Sequence, residues 1–254
     1  MAAQKKSRGG YSVGQQTRES ILISAMKLIA ENGYHGFSLR DLGREVGISH
    51  PAVIYHYPSK EDLLRAVVKR AEDRLGIFKV AVQPSEILLG EKVEYEITEE
   101  GIANGTLIDY AIQLMRFSLE PEADQVLALD AMLATEASSP IHPAHNHYKY
   151  RFQAIEDFIT AEVSRMIREG TLELALTPRM TAQTLLRHWY GGVVSSRYAA
   201  DAIDAKEFVS EFLALCVQMI NLSAQFILDV GTSVPDEVLE VYAKVLRKSR
   251  ETRA

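Results

Sequence analysis

Residues 38–57 read Ser38-Leu39-Arg40-Asp41-Leu42-Gly43-Arg44-Glu45-Val46-Gly47-Ile48-Ser49-His50-Pro51-Ala52-Val53-Ile54-Tyr55-His56-Tyr57, two short helical patterns divided by Gly47-Ile48-Ser49. Ser38, with Asp41 three residues on, is a capping-box arrangement that starts the first helix. Gly47 ends it by supplying the left-handed residue that helix ends often need. The second helix follows Ser49, with Pro51 in its first turn, where a missing N–H costs nothing. Helix, tight turn and helix together have the length and turn chemistry of a helix-turn-helix. Gly43 lets the second helix approach closely, and Leu42, Val46, Ile48 and Val53 can fill the angle between the two. His50, Ala52, Tyr55 and His56 are then able to face outward, leaving the short helix free to enter a major groove. An ordinary corner between two helices has the same geometry, so spacing alone leaves both readings open.

Outward from this stretch the chain stays helical. Upstream, Ile21, Leu22, Ala25, Leu28 and Ile29 recur at spacings of three and four and make one apolar stripe from Thr17. Asn32-Gly33 stops that helix. Residues 1–16 are polar and glycine-bearing and read as a flexible basic arm. Downstream, Pro58 closes the short helix, and Ser59 with Asp62 opens a fourth helix through about Leu75. Residues 80–104 are less regular: Val93, Tyr95 and Ile97 alternate with charged residues, which suits a short strand or an extended loop. Beyond Gly105 the pattern predicts helices over about 106–118, 123–137, 144–169, 178–200, 205–229 and 235–250, punctuated by Pro121, Pro140, Pro143, Pro178 and Pro235. The fold class expected is all-α.

The net charge of −6 hides an asymmetry. Residues 1–80 carry 13 Lys and Arg against 8 Asp and Glu, whereas residues 81–254 carry 15 against 26. An acidic chain is a poor coat for nucleic acid at large, but fields act locally, so a basic N-terminal module on an acidic body can still meet a phosphate backbone. A solvated basic surface with no partner is the plainer alternative. No run approaches about 20 apolar residues, so no membrane span is expected. The basic start lacks the apolar core of a secretory signal. A single cysteine, Cys216, cannot pair internally, in keeping with a cytoplasmic protein.

From about Thr17 to Val68 the sequence resembles the TetR family of one-component transcriptional regulators. The resemblance is carried by Ala30-Glu31-Asn32-Gly33-Tyr34, Gly36-Phe37-Ser38, Val46-Gly47-Ile48-Ser49 and Ile54-Tyr55-His56-Tyr57-Pro58-Ser59-Lys60-Glu61-Asp62-Leu63-Leu64. Pro51 departs from it, standing where glycine or another small residue is commoner. The resemblance implies a helix-turn-helix DNA-binding domain over 17–62 and a helical ligand-binding and dimerisation domain over 63–254. Ser38 and Ser49 would donate to phosphates at helix N-termini. Lys60 resembles the family's phosphate-binding lysine, Tyr55 would contact phosphate, and Tyr57 would pack in the core. Arg40, His50, Ala52 and His56 would reach base edges, Ala52 through a thymine methyl. Lys5, Lys6 and Arg8 would either enter a minor groove or form a solubilising tail.

The same resemblance implies a dimer built from the helices expected over 178–200 and 205–229, binding an operator in double-stranded DNA. It also implies repression relieved by a small-molecule effector; activation, or control through protein contacts alone, is the alternative. Met115, Phe117, Met132, Tyr148, Arg151, His188 and Trp189 are the candidate pocket residues, because they combine apolar surface with a few polar tips. His142, His145 and His147 have spacing that could serve a metal, but no cysteine or acidic pair accompanies them; a pocket wall fits them better, and a surface helix start better still. No phosphate loop, nucleophile elbow or metalloprotease helix is present, so neither enzymatic activity nor a cofactor is expected.

Overall fold

A computed structural model describes residues 8–75, 106–173, 176–198, 204–219 and 221–222. Its helices are α1 (Arg8–Asn32), α2 (Leu39–Val46), α3 (His50–His56), α4 (Lys60–Leu75), α5 (Leu107–Ser118), α6 (Ala123–Glu136), α7 (His145–Arg168), α8 (Pro178–Ser195) and α9 (Ala205–Met219). A 3-10 turn over Ser196–Tyr198 extends α8. Two-residue strands, Leu172–Glu173 and Asn221–Leu222, pair antiparallel. Among these residues every regular element apart from that pair is helical, as the periodicity requires.

Three boundaries differ from expectation. The arm read over 1–16 is helical from Arg8, because a nucleated helix propagates by one backbone hydrogen bond per residue even where no apolar stripe marks it. The helix expected over 178–200 ends at Ser195 and tightens into the 3-10 turn. The helix expected over 205–229 stops at Met219, since Asn221 and Leu222 are extended against Leu172 and Glu173. The readings over 80–104 and 235–250 lie outside the described residues.

One apolar core runs from Leu42 and Val53 beside the turn, through Leu63, Val67 and Leu75 of α4, to Leu129, Trp189 and Phe208 in the body. Leu42, Val53, Leu63 and Val67 are wholly buried. α1 lies along both α2 and α6, so the helix that braces the N-terminal head also packs on the body. A smaller core gathers Met166, Leu172 and Leu185, with Cys216 packed against it. Burial pushes the Cys216 thiol up to about 12, which keeps it a neutral, unreactive side chain. Gly192 allows α8 and α9 their close approach: a Cβ there would stand 2.7 Å from Cε2 of Phe208.

Candidate functional site

The head is assembled from local turn chemistry. Ser38 caps α2 in extended conformation; its hydroxyl accepts from the Asp41 N–H, while Asp41 accepts from the Ser38 N–H. Gly47 closes α2 at φ 77°, in the left-handed region that a Cβ disfavours. Gly43 is buried against the turn, its missing Cβ 3.0 Å from the Ile48 carbonyl. Val46 and Ile48 are partly buried beside wholly buried Leu42 and Val53. With its inner face so fixed, α3 turns the other face to solvent. Tyr55 is 83% exposed, and Arg40, Ser49, Pro51 and Ile54 are exposed near it. His50, Ala52 and His56 are half-buried, with the His56 ring 5.2 Å from that of Tyr55 in an edge-on contact. Tyr57 is core, its hydroxyl donating to the Arg18 carbonyl.

Two of the expected phosphate donors are already engaged within the protein. The Ser38 hydroxyl donates to Asp41 Oδ2 at 2.6 Å, which also sets a carboxylate at the α2 N-terminus. This hydrogen bond holds the Asp41 carboxyl below its usual range. Lys60 turns inward, donating to the Phe37 carbonyl, with its Nζ 4.8 Å and 4.4 Å from the ring centroids of Tyr34 and Phe37. Partial burial pulls its pKa down. The negative partner that a cation at a helix start requires is here a carbonyl and two ring faces. Ser49 is different: its oxygen accepts from the Ala52 N–H at 3.4 Å, and its hydroxyl proton remains for an outside acceptor. Ser38→Ala should cost about 1 kcal/mol of stability, read from the urea midpoint. Since the Asp41 carboxyl is held low, its share of the cap is present above the ordinary carboxylate range and fades as pH falls through its lowered pKa.

Head and body meet where α1 ends. Gly33 has φ 74°, and a Cβ there would lie 2.2 Å from Glu136 Oε1 at the end of α6. That carboxylate accepts the Tyr34 N–H at 2.7 Å. Burial, with Glu61 beside it, pushes the Tyr34 phenol up to about 12. His142 packs its ring 5.3 Å from Tyr34 and, buried, has its pKa pulled down. His142 and His147 are interior residues, against the expectation of a surface helix start, because His142 packs on Tyr34 and His147 reaches Glu72 of α4.

In the body, helices α4, α6, α7 and α8 bring charge into the interior. Arg151 is 3% exposed and lies 2.7 Å from Asp130 Oδ1, 3.0 Å from Glu72 Oε1 and 2.5 Å from the Tyr190 hydroxyl. Tyr148 donates to Asp130 Oδ1 at 3.0 Å, and His147 Nε2 is 3.0 Å from Glu72 Oε1. Burial raises the Asp130 pKa, with Arg151 opposing. Burial works the same way on Glu72, but Arg151 and His147 outweigh it and hold Glu72 low.

Of the candidate pocket residues, Tyr148 and Arg151 thus meet in one network. Trp189 is buried between Phe208 and Phe212, each ring centroid 5.0 Å away. Met115 and Phe117 are plain core on α5, and Met132 is half-buried. His188 is exposed and stacks on Phe212, so it lines no interior space. Glu72, Asp130 and Tyr190 escaped the sequence reading. Asp130 did leave a sign: it is the one charge in Val126-Leu127-Ala128-Leu129-Asp130-Ala131-Met132-Leu133.

A model of the bacterial regulatory proteins of the tetR family matches residues 21–67. The HTH-type transcriptional regulator UidR of Escherichia coli strain K12 is 25% identical over 210 residues, covering 82% of this chain and 95% of that protein. The HTH-type transcriptional repressor ComR of the same strain is 41% identical over 72 residues, 28% of this chain and 33% of its own. A crystal structure of a TetR-family transcriptional regulator from Agrobacterium tumefaciens has the same fold, with TM-score 0.57 and 24% identity over 82% of this chain and 99% of that one.

Proposed function

Since the chain belongs to the TetR family of DNA-binding transcriptional regulators and is not an enzyme, we propose that it acts as a homodimeric repressor, freed from its operator by a small molecule bound in the body. One observation supports this above the rest: α3 is locked on one face by Leu42, Gly43 and Val53 and open on the other through Tyr55. A rigid seven-residue helix reads few bases, so two copies related by a two-fold axis are needed to read a site with half-sites about one helical turn apart, or a multiple of that. The work is divided between a reading unit over 17–62 and a sensing and pairing unit over 63–254, in the cytoplasm.

In this reading Arg40, His50, Ala52 and His56 meet base edges, while Ser49 and Tyr55 meet phosphate. Ser38 and Lys60 contribute chiefly by holding the start of α2, Lys60 keeping N–H groups to spare for a phosphate. Two families of measurement test it. Light scattering at micromolar concentration should give a dimer with and without DNA; a monomer in both cases defeats the dimeric reading. In mobility shifts with the DNA upstream of its own coding sequence, Lys60→Ala should weaken every sequence alike, whereas His50 or Ala52 substitutions should change which bases are preferred. Unchanged affinity on replacing Lys60 would remove it from the interface.

A further inference from the structure

The buried charges of the body are unevenly matched. Two carboxylates, Glu72 and Asp130, share one guanidinium, Arg151, and His147 stands beside Glu72 alone, so Asp130 is the less well matched of the two. Arg151 and Tyr148 both donate to the same oxygen, Asp130 Oδ1, at 2.7 and 3.0 Å. The other oxygen, Oδ2, is buried without a donor, although Asp130 as a whole is only 2% exposed. A neutral His147 that donates through Nε2 to Glu72 turns a second bare acceptor, its buried Nδ1, into the same region. Arg151 Nε, 3.0 Å from Glu72 Oε1, is in charge contact without a well-aligned hydrogen bond. The deficit therefore sits at Asp130, a buried carboxylate with one bare oxygen and a charged partner that it shares with Glu72.

Aromatic faces surround it. The Arg151 guanidinium carbon lies 5.6 Å and 5.9 Å from the ring centroids of Tyr148 and Tyr190, and Phe152 stacks on Tyr190 at 4.3 Å. Leaving a carboxylate oxygen buried and unpaired is costly, and a charged donor offsets that cost best. Ring faces favour the same sign of charge. An anionic ligand would have to displace two carboxylates from Arg151. A neutral hydroxyl would satisfy Oδ2, but a charged donor makes the stronger bond to a buried carboxylate.

We propose that this network is a binding site for a small protonated amine, whose ammonium donates to Asp130 Oδ2 among the rings of Tyr148 and Tyr190. The inference rests on the effector-controlled reading only for its regulatory meaning; the site itself is defined by Asp130. Glu72 and Asp130 lie on α4 and α6, the helices that reach the head, so occupancy would be felt there.

The test uses the full chain with benzylamine, phenethylamine and hexylamine, each against the matched alcohol and carboxylate, by thermal shift and Trp189 emission. At least one amine should raise the melting temperature saturably, and Asp130→Asn should weaken it by about tenfold or more. On the wild-type protein alone, binding should fall as pH rises through the range where the amine loses its proton. The site is overturned if no amine exceeds its matched alcohol, if a carboxylate binds as well, or if Asp130→Asn binds undiminished. Mobility shifts separate the two claims. Amine binding without change in DNA affinity upholds the site and defeats its regulatory role; DNA binding without amine binding overturns the site and leaves the DNA-binding reading standing.

Discussion

Arg151→Met should lower the free energy of unfolding by about 3–5 kcal/mol, the largest loss expected from any single change in the body. Among the described residues, Arg151 is the one cation that meets both Glu72 and Asp130, and both its partners are largely buried. Removing it leaves two carboxylates facing each other in the interior, and Tyr190 loses its charged donor. Methionine has similar length and no charge, so the loss reports electrostatics more than a cavity. Adding Glu72→Gln and Asp130→Asn to Arg151→Met should recover most of it, because neutralising a whole buried set is far cheaper than orphaning part of one. Urea unfolding with matched slopes gives the comparison. The single variant's deficit should narrow on acidification, when its uncompensated carboxylates take up protons. In the wild-type protein the two carboxylates differ in sign. Glu72, held low, contributes stability above the ordinary carboxylate range and loses it as pH falls through its lowered pKa. Asp130, pushed up by burial, is a liability when charged and is relieved as pH falls through its raised value. A cost under about 1 kcal/mol for Arg151→Met would show that water reaches the cluster freely.

Gly33→Ala should cost about 2–4 kcal/mol, more than a helix-end glycine usually does. Part of the cost is conformational: φ 74° disfavours any Cβ by roughly 1–2 kcal/mol. The rest comes from Glu136, whose carboxylate occupies the space the new methyl needs. That side chain can swing away, but only by giving up the Tyr34 N–H, a charge-assisted bond worth about 1.5–3 kcal/mol. A double-mutant cycle separates the two parts. In a Glu136→Ala background the same glycine substitution should cost only the conformational share. Strict additivity of the two substitutions would mean that Glu136 and Gly33 do not compete for one space.

The head was legible in sequence because its rules are local. Ser38 and Asp41 are three residues apart, Gly47 sits at the end it terminates, and Gly43 faces a turn five residues away. Each of these could be read from a window shorter than a helix. The interior network joins Glu72, Asp130, Arg151 and Tyr190, which no spacing connects; only the charge of Asp130 amid apolar neighbours betrayed it. Lys60 shows a different limit. Its helix-start position calls for an anion, but sequence could not say that the Phe37 carbonyl and two rings already engage the ammonium. The long helix read through residue 229 failed for a third reason, since apolar periodicity does not register an extended partner some fifty residues earlier.

Helix α6 holds Asp130 in the interior and Glu136 at the head, on one uninterrupted rod. Six residues make roughly 9 Å of axial length and about one and two-thirds turns. The two side chains thus point in different directions from a common shaft. Twisting the shaft would carry them along unlike arcs, but sliding it would shift both by the same distance. A displacement of an ångström at the buried end arrives undiminished at the Tyr34 amide, where a 2.7 Å bond has little slack to absorb it. The molecule therefore has a mechanical stroke along the axis of α6, and the bond to the Tyr34 amide is one of the contacts that bound it.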